Sequence, residues 1–250
     1  MTKGEGPPVA DESGQVPSTP ADLREWLDRL ERTGRLAVVR PGARLRFEIA
    51  AIANRFDGAK ATFFPRPEGH PVPVVSGLVS DRGWMAEACG TTSDRLLARF
   101  QDAVDRPLPW QETREAPAQE IVHDRVDLES LFPIPTHNEH DSGAYITAGL
   151  VVTRNPASGV QNVAIHRLQV SGPDRLGVLV LPRHTMAFYR MAAERGEDLP
   201  LAIVVGVDPA TLLSSQAVLP LDADELEVAG ALHGRPLPVV KCVTNEVRVP

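Results

Sequence analysis

Cysteine is scarce in this 250-residue chain, and so are aromatic residues, at 5% of the total. The two cysteines, Cys89 and Cys242, lie too far apart in sequence to mark a disulfide framework. They read as two buried thiols in a reducing cytoplasm. Positive charge is also short. Lys and Arg total 26 against 33 Asp and Glu, a net charge of −7, which leaves no basic footprint for a nucleic-acid backbone. No apolar run approaches the ~18–20 residues of a membrane span. The start of the chain lacks the basic residues and apolar middle of a secretory signal. Residues 1–19 are rich in Pro, Gly, Ser and acid and are expected to form a disordered leader.

Against these absences stands a hydrophobic content of 42%, enough to bury a core in one or two domains. Order is expected from Thr19, with Thr19 as helix cap and Pro20 at the first helical position. Leu23, Trp26, Leu27 and Leu30 repeat at helical spacing up to Gly34. Strands are expected at 36–39, 61–64 and 72–75. Helices are expected around Phe47 to Phe56, Trp84 to Ala88 and, capped by Ser93, Leu96 to Val104. The alternation predicts an N-terminal α/β domain over residues 20–106. Residues 107–118, with Pro-Leu-Pro-Trp and mixed charges, read as a linker. Residues 119–250 then turn β-rich. Runs at 146–154, 160–170 and 175–181 read as strands, the last two joined by Ser171-Gly172-Pro173-Asp174. Helices are predicted at 185–194, near Asp208-Pro209 and at 224–232, with strands at 201–207, 237–243 and 246–249.

Several residues in this second part are chemically out of place. Asn162, His166 and Arg167 interrupt an apolar strand run. Asn162 and Arg167 are five apart and would face opposite sides of a regular strand, so a bulge or loop is needed to aim both at one site. A cation on a half-buried strand calls for an anion nearby. His184 follows a strand end and precedes a helix, whose N-terminus also suits a phosphate. Glu225 opens the 224–232 helix. An amide oxygen, an imidazole and a carboxylate suit Mn²⁺ or Mg²⁺ better than a soft metal. On spacing alone the plainer alternative stays open: Arg167 pairs with a surface acid and His184 caps the helix. The Thr-His-Asn-Glu-His-Asp run carries His137 and His140 at half a zinc-site spacing, but prolines and Gly143 bracket it as a loop.

Seven short motifs occur together and in order: Pro-Ile-Pro-Thr136-His, Tyr145-Ile-Thr-Ala-Gly149, Gln161-Asn-Val-Ala-Ile-His-Arg167, Leu-Pro-Arg-His184, Gly206-Val-Asp-Pro209, Glu225-Leu-Glu-Val-Ala-Gly230-Ala-Leu and Val-Val-Lys-Cys242. The set resembles the UbiD family of decarboxylases. The resemblance implies an N-terminal α/β domain followed by a split β-barrel like that of flavin reductases. It implies prenylated FMN, supplied by a flavin prenyltransferase, with Mn²⁺ (or Mg²⁺) and K⁺ at its phosphate. It implies reversible, non-oxidative removal of CO₂ from an aromatic or α,β-unsaturated carboxylic acid. Carried over by position, Asn162, His184 and Glu225 are the metal ligands. Thr147, Ala164, Ile165, His166 and Arg183 contact the cofactor, and Arg167 is the catalytic arginine. The family's acid lies in an E-x-P-x-G-E motif that this sequence does not contain before it stops at Pro250. The expectation is therefore an incomplete barrel, no family C-terminal domain, no on-chain acid partner for Arg167 and little turnover by the chain alone. Either a second polypeptide supplies the remainder, or the gene is frameshifted or truncated; the competing function is a non-catalytic flavin-binding module.

Overall fold

The computed structural model describes residues 18–114 and 116–250. The expected leader therefore lies almost wholly outside the described residues. The N-terminal half alternates helices and short strands: α1 (Leu23–Arg32), β1 (Leu36–Val38), α2 (Glu48–Phe56), β2 (Ala61–Phe64), β3 (Val74–Ser76), α3 (Arg82–Ala88) and α4 (Leu96–Asp105). β2 is the middle strand of a three-stranded sheet, parallel to β1 and antiparallel to β3. Both N-caps expected from sequence are displaced. Asp22 caps α1 by accepting from the Glu25 N–H, and the Glu25 carboxylate accepts in return from the Ala21 N–H. Thr19 is engaged elsewhere, its hydroxyl donating to the Leu232 carbonyl at 3.1 Å. α4 starts at Leu96 and not beside Ser93.

Trp26, Leu30, Ala61, Trp84 and Ala88 close the first core. Beside it lies a buried ion pair. Arg35 donates to both Glu87 oxygens at 2.6 and 3.0 Å, and its guanidinium lies over the rings of Trp26 and Trp84.

The segment read as a linker carries a strand, β4 (Gln111–Glu112), and a short helix, α5 (Leu128–Leu131), follows it. The second half continues with β5 (Tyr145–Ile146), β6 (Leu150–Arg154), β7 (Gln161–Ile165), β8 (Leu168–Gly172), β9 (Arg175–Val178), α6 (His184–Glu194), β10 (Leu201–Val204), α7 (Pro209–Ser214), α8 (Glu225–His233), β11 (Pro238–Lys241) and β12 (Arg248–Val249). Among the described residues these strands form three-stranded sheets in the orders β10-β6-β7, β5-β8-β9 and β12-β11-β4, with no closed ring. The architecture is thus mixed α and β throughout.

α8 is the structural hinge-pin between the halves. Leu226, Val228, Ala229, Gly230, Ala231 and Leu232 are all buried, as expected of a helix apolar on every side. One face packs with Leu150, Val152, Val163 and Val239, the other with Cys89, Ala103 and Ala210. Residues 108–113 run along this helix. The Leu108 N–H donates to the Glu227 carbonyl, the Trp110 indole donates to Asp224 at 2.9 Å, and β4 pairs in parallel with β11. A Cβ at Gly230 would stand 2.9 Å from the Leu108 carbonyl oxygen, so only glycine permits this approach. α8 ends at Gly234 in the left-handed conformation, as its sequence suggests.

Candidate functional site

The single apolar run expected over residues 160–170 is two strands. β7 ends at Ile165 and belongs to the β6 sheet, while β8 begins at Leu168 and pairs with β5. His166 and Arg167 form the break between them. The alternation of one strand therefore does not relate the two residues: Asn162 lies within β7 and Arg167 in the break that leads into β8.

Asn162 is 4% exposed in the middle of β7. Its Oδ1 faces His184 Nδ1 at 3.1 Å, and its Nδ2 donates to the Thr185 hydroxyl at 3.3 Å. His184 and Thr185 are the first two residues of α6, so one helix start brings both to the strand. His166 Nε2 reaches the same Thr185 hydroxyl at 3.2 Å. Burial lowers the pKa of His166, partly opposed by a hydrogen bond to the Leu179 carbonyl.

Glu225, at the N-terminus of α8, is 3% exposed. Its Oε2 accepts from the Val163 N–H at 2.7 Å, on the edge of β7 that no strand among the described residues covers. The carboxylate is therefore fixed one residue along from Asn162. Burial pushes its pKa up to about 7, against the pull of the Val163 N–H, and neighbouring Asp224 adds to the rise. Asp224 caps α8 and is itself pushed up to about 6, again chiefly by burial.

Arg167 is exposed and stands apart from this cluster. It donates to Asp141 at 3.0 Å, and its guanidinium lies over the Tyr145 ring at 4.4 Å. This is the plainer alternative left open by the sequence, an ion pair with an acid, here Asp141 from a loop 26 residues upstream. His137 lies nearby with its Nδ1 buried and without a partner among the described residues. His140 is exposed beside Glu139. Among the described residues no three or more His, Cys, Asp or Glu side chains gather to hold a metal, so the H-x-x-H spacing of that loop does not build a zinc site. Thr147 is exposed in the loop between β5 and β6, Arg183 is exposed at the N-cap of α6, and Ala164 and Ile165 are half-buried at the end of β7.

Sequence reasoning missed Thr185, Asp141 and Tyr145. Asp141 and Tyr145 fall within or beside runs already singled out, but nothing in the sequence pairs either with Arg167. Thr185 had only its position after His184 as a signal.

Residues 111–250 match the family model for the 3-octaprenyl-4-hydroxybenzoate carboxy-lyase Rift-related domain, UbiD, and residues 27–104 match the corresponding N-terminal domain. The chain belongs to the UbiD family. Several of its relatives are named as decarboxylases, that is, carboxy-lyases. The anhydromevalonate phosphate decarboxylase of Methanothermobacter thermautotrophicus is 36% identical over 228 residues, covering 91% of this chain and 52% of the relative. Among solved structures, the UbiD-class enzyme HmfF of Pelotomaculum thermopropionicum, in complex with FMN, aligns with a TM-score of 0.89 at 46% identity. That alignment covers 92% of this chain and 52% of HmfF. An evolved dimeric form of HmfF, in complex with prFMN, aligns at 0.90. The vanillic acid decarboxylase ShVdcCD of Sedimentibacter hydroxybenzoicus, in closed form, aligns at 0.83 with 28% identity, covering 92% and 52%. This UbiD chain therefore spans about half the length of the relatives it matches. No helix among its described residues is long and apolar enough to cross a membrane.

Proposed function

We propose that this chain is the cofactor-binding portion of a UbiD-type decarboxylase. It acts with prenylated FMN on an aromatic or α,β-unsaturated carboxylic acid, removing CO₂ reversibly and without net oxidation. The observation that carries the reading is the approach of Asn162 Oδ1 to His184 Nδ1 at 3.1 Å. Two ligands about 2.1 Å from a cation and at right angles to each other stand about 3.0 Å apart, the edge of an octahedral site. An amide oxygen, an imidazole nitrogen and the Glu225 carboxylate are a donor set suited to a hard divalent cation, Mn²⁺ or Mg²⁺. Asn162, His184 and Glu225 would hold that cation, which with K⁺ would supply positive charge to the flavin phosphate. The start of α6 beside His184 favours the same phosphate charge.

Thr147, Ala164, Ile165, His166 and Arg183 line the cofactor. When bound, the modified flavin supplies the electron sink for loss of CO₂, and the protein binds and orients. Arg167 receives the substrate carboxylate through its planar fork. Tyr145 and Asp141 hold the guanidinium in place, and its exposed side is open to a ligand. The sheets β10-β6-β7 and β5-β8-β9 are read as part of a flavin-reductase-like split barrel spanning residues 119–250. The α/β domain covers 20–106 and the linker 107–118, of which residues 108–113 run along α8. Two free thiols fit a reducing cytoplasm.

A flavin prenyltransferase supplies the cofactor. A second reading is that this chain is a half-subunit completed by another polypeptide, or a flavin-binding module without catalysis of its own. It is favoured by the composite name of ShVdcCD, one form of which carries a truncated ShVdcD.

Co-expression with a flavin prenyltransferase, followed by absorbance spectra of the purified chain, tests the main proposal. Retained flavin that is lost in Asn162→Ala and His184→Ala supports it. A chain that emerges without flavin, or that keeps it in both variants, overturns it. Incubating the loaded chain with a panel of unsaturated acids and measuring CO₂ separates the two readings, since robust turnover removes the need for a second polypeptide.

A further inference from the structure

Asn162 presents an oxygen to the cation position only if its amide is turned one way, and an amide has no charge to enforce that choice. We infer that Thr185 is the positioning residue that fixes it, as the middle link of a hydrogen-bond chain running from the His166 ring to the Asn162 side chain. The inference rests on the reading in which Asn162 and His184 hold a divalent cation.

The geometry sets the roles. An amide Nδ2 can only donate, so the Thr185 oxygen, 3.3 Å away, accepts from Asn162. The hydroxyl keeps its single proton for His166 Nε2, 3.2 Å away, which accepts it. Oδ1 must therefore face the other way, toward His184 Nδ1. Thr185 is 5% exposed and Asn162 is 4% exposed, so bulk water does not compete for these bonds. Thr185 sits beside His184 on the first turn of α6, so the segment that carries one ligand also orients the other. Outer partners of this kind commonly govern cation affinity by about 10–100-fold.

The test is a titration of the purified chain with FMN, with and without MnCl₂, followed by flavin fluorescence. Thr185→Val keeps the shape and removes the hydroxyl. It should weaken Mn²⁺-dependent FMN binding by about 10–100-fold, while Thr185→Ser restores it to near the parent value. The deciding comparison places Thr185→Val in an Asn162→Asp background. A carboxylate offers an oxygen in either orientation, so there the valine should cost almost nothing. Equal losses in both backgrounds, or no loss in the Asn162 background, overturn the inference and leave Thr185 as packing. If Thr185→Val does not fold by its far-UV spectrum, Thr185→Ala enters the same comparison. If the parent chain shows no Mn²⁺-dependent binding, or keeps it in Asn162→Ala, the cation reading itself fails and takes this inference with it. Loss in Asn162→Ala with none in Thr185→Val sinks only the inference.

Discussion

Replacing Glu225 with glutamine should stabilise the fold above neutral pH while removing its affinity for a cation. The carboxylate is almost fully buried and accepts one backbone N–H, that of Val163. Burial, the largest influence, raises its pKa from 4.5 to about 7. A carboxyl whose folded pKa lies above its unfolded one binds its proton more tightly in the native state. The native chain is therefore favoured at low pH and loses stability as the pH rises from about 4.5 through about 7. At about 1.4 kcal/mol for each tenfold change in proton affinity, the full loss is on the order of 3 kcal/mol once Glu225 is ionised. That is a large share of the ~5–15 kcal/mol that holds a typical domain together. Glutamine keeps an oxygen for the Val163 N–H and cannot ionise. Urea midpoints of the two proteins should nearly coincide at pH 5 and separate toward pH 8, with Glu225→Gln the more stable by about 3 kcal/mol. Asp224 titrates in an overlapping range in both proteins, so the difference between them is the quantity to read. Adding MnCl₂ and FMN at pH 8 should then raise the midpoint of the parent chain only, because a ligand stabilises the state that binds it. Parallel pH profiles refute the burial argument. Equal stabilisation of both proteins by MnCl₂ and FMN refutes the ligand role of Glu225.

Removing the partner of the buried Arg35 by Glu87→Ala should cost about 3–5 kcal/mol in urea unfolding, because the arginine is left charged between Trp26 and Trp84. Gly230→Ala should lower the urea midpoint with an unchanged slope. About 1–3 kcal/mol of strain against the Leu108 carbonyl outweighs the ~1 kcal/mol gained in helix propensity. Cys89 is fully buried and its thiol is pushed up to about 12 by burial, so iodoacetamide at pH 8 should modify half-buried Cys242 first and reach Cys89 only on unfolding, as read by mass spectrometry.

Much of the local structure was legible because it depends on periodicity and caps. α8 lies within a residue of its expected span, since Asp224 and Gly234 mark its ends chemically. The Ser171 to Asp174 turn joins β8 and β9 as expected, because glycine and proline limit the backbone there. β4 was not legible. Gln111 and Glu112 are exposed and enter the sheet through main-chain bonds to β11, to which side-chain pattern is blind. Thr19 was misjudged for a related reason. Its hydroxyl serves the Leu232 carbonyl, a partner that only the tertiary fold brings within reach, and the cap falls to Asp22.

The site follows the same division. Residue types and motif order singled out Asn162, His184 and Glu225, and the fold sets the first two in contact and anchors the third to the neighbouring backbone N–H. What connects them is carried by groups with no signal of their own: a threonine hydroxyl and the Val163 N–H. The break at His166 and Arg167 shows why spacing along one run was misleading. Had β7 continued unbroken, alternation would have turned Asn162 and Arg167 to opposite faces of a single sheet. Ending β7 at Ile165 sends His166 toward Thr185 and α6, while Arg167 turns to Tyr145 of the β5 strand and to Asp141. Two adjacent residues thus serve two different neighbourhoods. The polar interruption that looked like a flaw in a strand is the point at which the chain passes from one sheet to the next.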